Sequence, residues 1–111
     1  MRKQIKASDK MNILNLRVYR IWFDEIKSGV KDKETRQIRP DLAWRYLETD
    51  ESGQEKKDSQ GNPIPIQYDA ICFHCGGDEV TVEVTDACVL TEDDERLIVY
   101  SLGKIVDKDR P

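Results

Sequence analysis

The chain has few aromatic residues, a single histidine and no long hydrophobic run. Nothing approaches the roughly 18 consecutive apolar residues of a membrane-spanning helix, so no membrane is expected among its partners. Residues 48–62 contain no apolar side chain, which predicts a flexible polar loop. The sequence shows no signal peptide. Its three cysteines are an odd number and so do not form a fully paired set. A reducing, cytoplasmic location is therefore expected.

The residues that are present suffice for one small folded domain. Of the 111 residues, 38% are hydrophobic, which is enough for one core and too few for two ordinary domains. The net charge of −4 argues by itself against a simple basic nucleic-acid-binding protein. The charge is unevenly distributed, however, because residues 1–40 carry +6 and residues 41–111 carry −10. This asymmetry indicates a negatively charged partner.

Hydrophobic periodicity predicts an α+β fold, a small mixed β-barrel of about five strands with two short helices. Residues 1–10 are polar and basic and are predicted to be a flexible N-terminal arm, followed by a single domain over residues 11–111. Gly29 is expected to end the first helix, and Pro40 to open the second. The predicted strands cover residues 12–18, 31–39, 67–74, 79–90 and 97–106, and the first helix covers residues 19–28.

The most informative segment is residues 29–36, which reads G-x-K-x-x-E-x-R and follows a predicted strand and amphipathic helix. Together with the order of the surrounding elements, including the final strand with Leu102 and Gly103, it resembles the ASCH domains, a branch of the PUA-like superfamily. The resemblance covers about residues 11–106. It implies a PUA-like barrel with a charged cleft beside the motif, and binding of RNA or of a nucleotide or nucleoside.

The residue types in and near the motif suit such a ligand. Lys31 and Arg36 would hold a phosphate, and Glu34 would accept a hydrogen bond from the amino group of a base. Trp44 and Tyr68 are candidates for stacking on a base. A binding module without enzymatic activity, contacting its ligand through these five residues, is the leading hypothesis.

Two alternatives stay open. Some ASCH domains hydrolyse an acetylated cytidine with a lysine, a threonine three residues later and a glutamate, which implies an amidohydrolase acting on an N-acylated pyrimidine nucleoside such as N4-acetylcytidine. Lys31 matches that lysine and would form an acid–base pair with Glu34, but Glu34 stands where the threonine is expected. Thr35 is one residue out of register and would point to the opposite face of a strand. The second alternative is a protein-interaction domain.

The remaining cysteine, histidine and aromatic residues are interpreted as structural. Cys72 and His74 would share one strand face while Cys75 points away, and a second pair of ligands is lacking, so neither a metal nor a cofactor is expected. Trp22 and Tyr46 share helical spacing with apolar neighbours and are predicted to lie in the core.

Overall fold

A computed structural model describes residues 4–6 and 11–107 as a small α+β protein with a mixed sheet and two short helices. This confirms the predicted class, and each of the five predicted strands is found. Three residues of the predicted N-terminal arm form a further strand, and the rest of that arm, residues 1–3 and 7–10, lies outside the described residues. The elements are β1 (Gln4–Lys6), β2 (Ile13–Arg17), α1 (Arg20–Ser28), β3 (Lys33–Gln37), a 3₁₀ helix (Pro40–Arg45), β4 (Ala70–Cys75), β5 (Asp78–Glu92) and β6 (Glu95–Asp107).

The strands pair in the order β1-β6-β5-β4-β2, and β3 pairs with β6. The β1–β6 and β2–β4 pairs are parallel, whereas β4 and β5 are antiparallel. In the part of the chain that the structure describes, no helix is long and apolar enough to cross a bilayer. The chain divides into two compact units, and β3, β5 and β6 each contribute residues to both.

The first unit consists of Met1–Glu34, Tyr68–Asp86 and Ser101–Pro111. Within it, β2, β4 and the first part of β5 lie side by side, and their side chains alternate between two faces. One face is apolar and buried and consists of Leu14, Leu16, Ile71, Phe73, Val80 and Val82. The opposite face carries mainly polar side chains, among them Asn15, Cys72, His74, Glu79 and Thr81.

Helix α1 differs from its predicted packing at one aromatic position. It contacts β4 and buries Phe23 and Ile26, which lie three residues apart on one face. Trp22 was predicted to lie in the core, and this is wrong, since 46% of it is exposed. Its ring instead lies 5.3 Å from that of Tyr19. A helix of nine residues offers a narrow apolar stripe, and Trp22 falls beside it.

The second unit consists of Thr35–Gln67 and Ala87–Tyr100. It contains the second helix of the chain, which begins at Pro40 as expected but is of the tighter 3₁₀ type. Immediately after this helix, Tyr46 N–H donates to Ala43 O at 3.0 Å. The predicted burial of Tyr46 is confirmed. The buried side chains of this unit are Ile38, Ala43, Tyr46, Leu47, Ile98 and Tyr100.

The polar segment of residues 48–62 contains two consecutive turns with the same hydrogen bonds. In the first, Asp50 Oδ1 accepts from the backbone N–H groups of Ser52 and Gln54 at 2.9 and 3.0 Å. In the second, Asp58 Oδ1 accepts from Gln60 and Asn62 at 2.8 and 2.9 Å. The glycine three residues after each aspartate has a positive φ, 85° at Gly53 and 82° at Gly61. Aspartate and glycine at matching positions are therefore what these two turns require.

An ion pair links this polar segment to β6 within the second unit. Arg96 Nη1 and Nη2 donate to the two carboxylate oxygens of Glu55 at 2.7 and 2.8 Å. Both side chains are partly buried, 28% exposed for Arg96 and 24% for Glu55. These hydrogen bonds from Arg96 hold the pKa of Glu55 below its ordinary value, although burial acts in the opposite direction.

Glu55→Gln is expected to lower the free energy of unfolding by about 1–2 kcal/mol at neutral pH, since one bidentate charged pair is lost. Because the pKa of Glu55 is lowered in the folded state, its contribution is fully present above the ordinary glutamate pKa of 4.5. The contribution disappears as the pH falls through the lower pKa of the folded protein. The measurement is urea unfolding of both proteins between pH 7 and pH 3, with the exposed Glu51→Gln as control; a difference that grows in acid would contradict the prediction.

Candidate nucleotide-binding site

The motif begins where α1 ends, and glycine sets the direction of the chain there. Gly29 has a φ of 92°, a left-handed conformation that costs other residues energy. Its N–H donates to Glu25 O and Ile26 O at 3.1 and 3.2 Å, and the N–H of Lys31 also donates to Glu25 O at 3.0 Å. These hydrogen bonds satisfy the last carbonyl groups of the helix and fix Lys31 just before β3.

Lys31 and Glu34 form an ion pair, with Lys31 Nζ 3.6 Å from Glu34 Oε1. The Glu34 side chain is only 7% exposed and that of Lys31 is 28% exposed. A buried carboxylate is costly without a partner, and the ammonium group supplies one. Lys33 lies on the other face of the strand and donates to Ser101 Oγ at 3.0 Å. The structure thus distinguishes the two lysines: Lys31 lies beside a buried acid, whereas Lys33 is exposed.

Strand β6 supports the motif from the neighbouring position in the sheet. Leu102 N–H donates to Asp32 O at 2.8 Å, and this hydrogen bond joins the motif to β6. At the next residue, Gly103, a Cβ atom would collide with Glu83 Oε1 and lie 2.9 Å from Thr85 Cγ2. The Glu83 carboxylate also accepts from Lys104 N–H at 3.3 Å. Any larger residue at position 103 would therefore force the Glu83 and Thr85 side chains to shift.

The other predicted ligand residues are distributed over both units. Tyr68 belongs to the first unit and lies partly buried just before β4. Arg36 is partly buried, and Trp44 is 63% exposed on the 3₁₀ helix; both belong to the second unit. Thr35 is exposed while Glu34 is buried, so the two side chains lie on opposite faces of β3, as expected. Among the predicted site residues, Lys31 and Glu34 form an ion pair.

A second polar site lies in the first unit and was not predicted. A cavity of about 370 Å³ is lined by Arg17, Val18, His74, Cys75 and Gly76, where β2 ends and β4 turns into β5. His74 Nε2 lies 2.9 Å from Asn15 Oδ1, and His74 Nδ1 lies 3.6 Å from Glu79 Oε2. Cys72 and His74 were predicted to share one strand face, and their positions on β4 confirm this. Glu79 was not predicted to lie beside them. The hairpin turn at residues 75–78 was the signal that could have added it.

Comparison with protein-family models, with curated proteins and with solved structures gives no match for this chain.

Proposed function

We propose that this chain is an ASCH-type module with a PUA-like barrel fold that binds RNA or a nucleotide and acts in the cytoplasm. The observation that carries the proposal is the contact between the buried Glu34 carboxylate and Lys31 in the G-x-K-x-x-E-x-R segment. The location is supported by the cysteines, all three of which are free thiols.

The Lys31–Glu34 pair offers the two kinds of contact that a nucleotide needs. A carboxylate accepts hydrogen bonds from the exocyclic amino group of a base, and partial burial strengthens this interaction. The Lys31 side chain is still 28% exposed, so that its ammonium group would contact a phosphate oxygen of the ligand. Binding of the ligand would then exchange part of an internal ion pair for contacts with a group of complementary charge.

Charge and aromatic exposure add support. The excess of basic residues lies in residues 1–40, which include the motif. In the same unit as Lys31, the rings of Tyr19 and Trp22 are exposed and lie against each other. Exposed aromatic rings are the usual stacking surface for unpaired bases. Arg36, Trp44 and Tyr68 stay as predicted ligand contacts.

Lys31→Ala is expected to weaken binding of a short single-stranded RNA by about tenfold or more, because it removes a phosphate contact and an ion-pair partner of Glu34. The matched control is Lys33→Ala. It removes the same charge two residues further along the chain, from the strand face opposite Glu34. Fluorescence anisotropy at several salt concentrations measures both, and the salt dependence should fall by about one unit in slope for Lys31→Ala. Equal affinities of the two variants, or no salt-dependent binding by the unaltered protein, would overturn the proposal.

Hydrolysis of an N-acylated pyrimidine nucleoside is the second candidate, and the Lys31–Glu34 ion pair would serve as its acid–base pair. Glu34 occupies the position of the expected threonine, and Thr35 lies on the other face, so a binding module is the preferred function. Incubation with N4-acetylcytidine separates the two candidates. We expect no cytidine above the Lys31→Ala background; release that depends on Lys31 and Glu34 would assign the hydrolase instead. If neither assay responds and a protein co-purifies, the interaction domain is favoured.

A further inference from the structure

We propose that Cys72, His74 and Glu79 form a binding site for a divalent transition-metal ion of the zinc type. The three residues each offer one ligand atom, and these atoms lie within 4.8 Å of one another. All three belong to the first unit. The site is separate from Lys31 and Glu34, and the proposal does not depend on nucleotide binding.

The strands bring these three side chains together by their register. Cys72 and His74 are two residues apart on β4 and therefore point to the same face. Glu79 on β5 is the antiparallel partner of His74, so its side chain lies beside the imidazole on that face. The cluster is thus built on two paired strands rather than on a loop, which holds the ligands in place without a metal.

The hydrogen bonds of His74 leave one ring nitrogen directed at a carboxylate. Nε2 lies 2.9 Å from Asn15 Oδ1, and because an amide oxygen only accepts, this hydrogen bond forms in the tautomer that has its proton on Nε2. The other nitrogen, Nδ1, then presents a lone pair 3.6 Å from Glu79 Oε2, which is also an acceptor. A metal ion bound between them would take a lone pair from each. Metal-binding histidines commonly donate their second ring N–H to an oxygen in this way.

The donor types select the ion, and the separation of His74 Nδ1 and Glu79 Oε2 fits it. Metal–ligand bonds of about 2.0–2.3 Å in a tetrahedron place neighbouring ligand atoms about 3.3–3.8 Å apart, close to the separation of Nδ1 and Oε2. Thiolate, imidazole and carboxylate together suit Zn²⁺ and its analogue Co²⁺ rather than Mg²⁺ or Ca²⁺. Three protein ligands leave a fourth position for water or another ligand.

The surroundings fit a site that opens to solvent on one side. Cys72 is buried, whereas the side chains of His74 and Glu79 are 36% and 54% exposed and provide an entry path. Thr81, the strand partner of Cys72, lies on the same face. Its Oγ1 is buried and, within the part of the chain that the structure describes, has no hydrogen-bond partner. A metal-bound thiolate at Cys72 would give this hydroxyl an acceptor.

The experiment is titration of the reduced, chelator-treated full chain with Co²⁺ and then Zn²⁺. We expect one ion per chain, with a cobalt spectrum that contains a thiolate charge-transfer band and intense tetrahedral bands, both lost when Zn²⁺ displaces Co²⁺. His74→Gln and Glu79→Gln should weaken binding by about tenfold or more. Cys72→Ser should abolish the thiolate band.

Matched controls are Cys88→Ser and Glu92→Gln, which remove an exposed thiol and an exposed carboxylate elsewhere. Both should bind Co²⁺ like the unaltered protein. Cys72 is buried, so that Cys72→Ser could be unstable. The variant Glu79→Gln, at an exposed position, tests metal binding independently of Cys72. Unchanged affinity in Glu79→Gln and His74→Gln, a thiolate band that needs Cys88, or a His74 ring that NMR shows protonated at both nitrogens in the presence of Zn²⁺ would overturn the proposal.

Discussion

Replacing Phe73 by alanine is expected to lower the free energy of unfolding by about 3–5 kcal/mol. Phe73 is fully buried on β4. Its strand partners are Leu16 on one side and Val80 on the other, and both are buried on the same face. Alanine would remove the ring and leave a cavity that the paired strands can fill only in part, because their backbones are held by the sheet hydrogen bonds.

Urea unfolding followed by tryptophan fluorescence measures this effect. The control is Ile21→Ala on α1, where the side chain is 66% exposed and its removal should change stability by less than about 0.5 kcal/mol. A loss for Phe73→Ala as small as that of the control would contradict the position of Phe73 at the centre of the first unit.

Leu47→Ala is expected to cost about 2–5 kcal/mol, with its effect concentrated in the second unit. Leu47 is 1% exposed and follows the 3₁₀ helix. Its N–H donates to Ala43 O at 2.9 Å, and it forms an isolated bridge with Pro65. Residues 48–62 contribute no apolar side chain, so this unit depends on few large buried residues, and the loss of one leaves little to replace it.

Hydrogen exchange complements urea unfolding for this variant. The amide groups of residues 35–67 should lose protection in Leu47→Ala, and Leu90→Ala provides a control with the same change at a 45% exposed position of the same unit. Protection in residues 35–67 that is equal in the two variants would contradict a structural role for Leu47.

Hydrophobic periodicity and the residues at turns and helix ends predicted the helices and strands of this fold well, because these signals are local in the sequence. The alternation in β2 and the glycine after α1 are visible without tertiary structure. The 3₁₀ geometry after Pro40 and the exposure of Trp22 are not, since both depend on what the neighbouring strands can accept. Asp50 and Asp58 begin matching turns, but two shared residue types in a polar segment are too few to be recognised as a repeat.

The two candidate sites differ in how much of each could be predicted from the sequence. The Lys31–Glu34 pair lies within one short motif, so its contact could be predicted, whereas the burial of Glu34 in a highly charged strand could not. The Cys72, His74 and Glu79 cluster depends on the register of a hairpin. The two glycines at residues 76–77 give Cys75 and Asp78 as partners, from which His74 and Glu79 follow as the next pair. The burial and orientation that make these three residues a site required the structure.

The polar segment also has a consequence for variation in chain length. The two ends of this segment lie side by side, because Glu48 N–H donates to Ile64 O and Ile66 N–H donates to Tyr46 O, each at 2.9 Å. A shorter or longer insert between residues 48 and 64 would meet the same two anchored ends. Its cost would be limited to loop closure and to the Glu55–Arg96 pair. We therefore expect the sheet to tolerate large changes in the length of this segment, including a grafted peptide epitope.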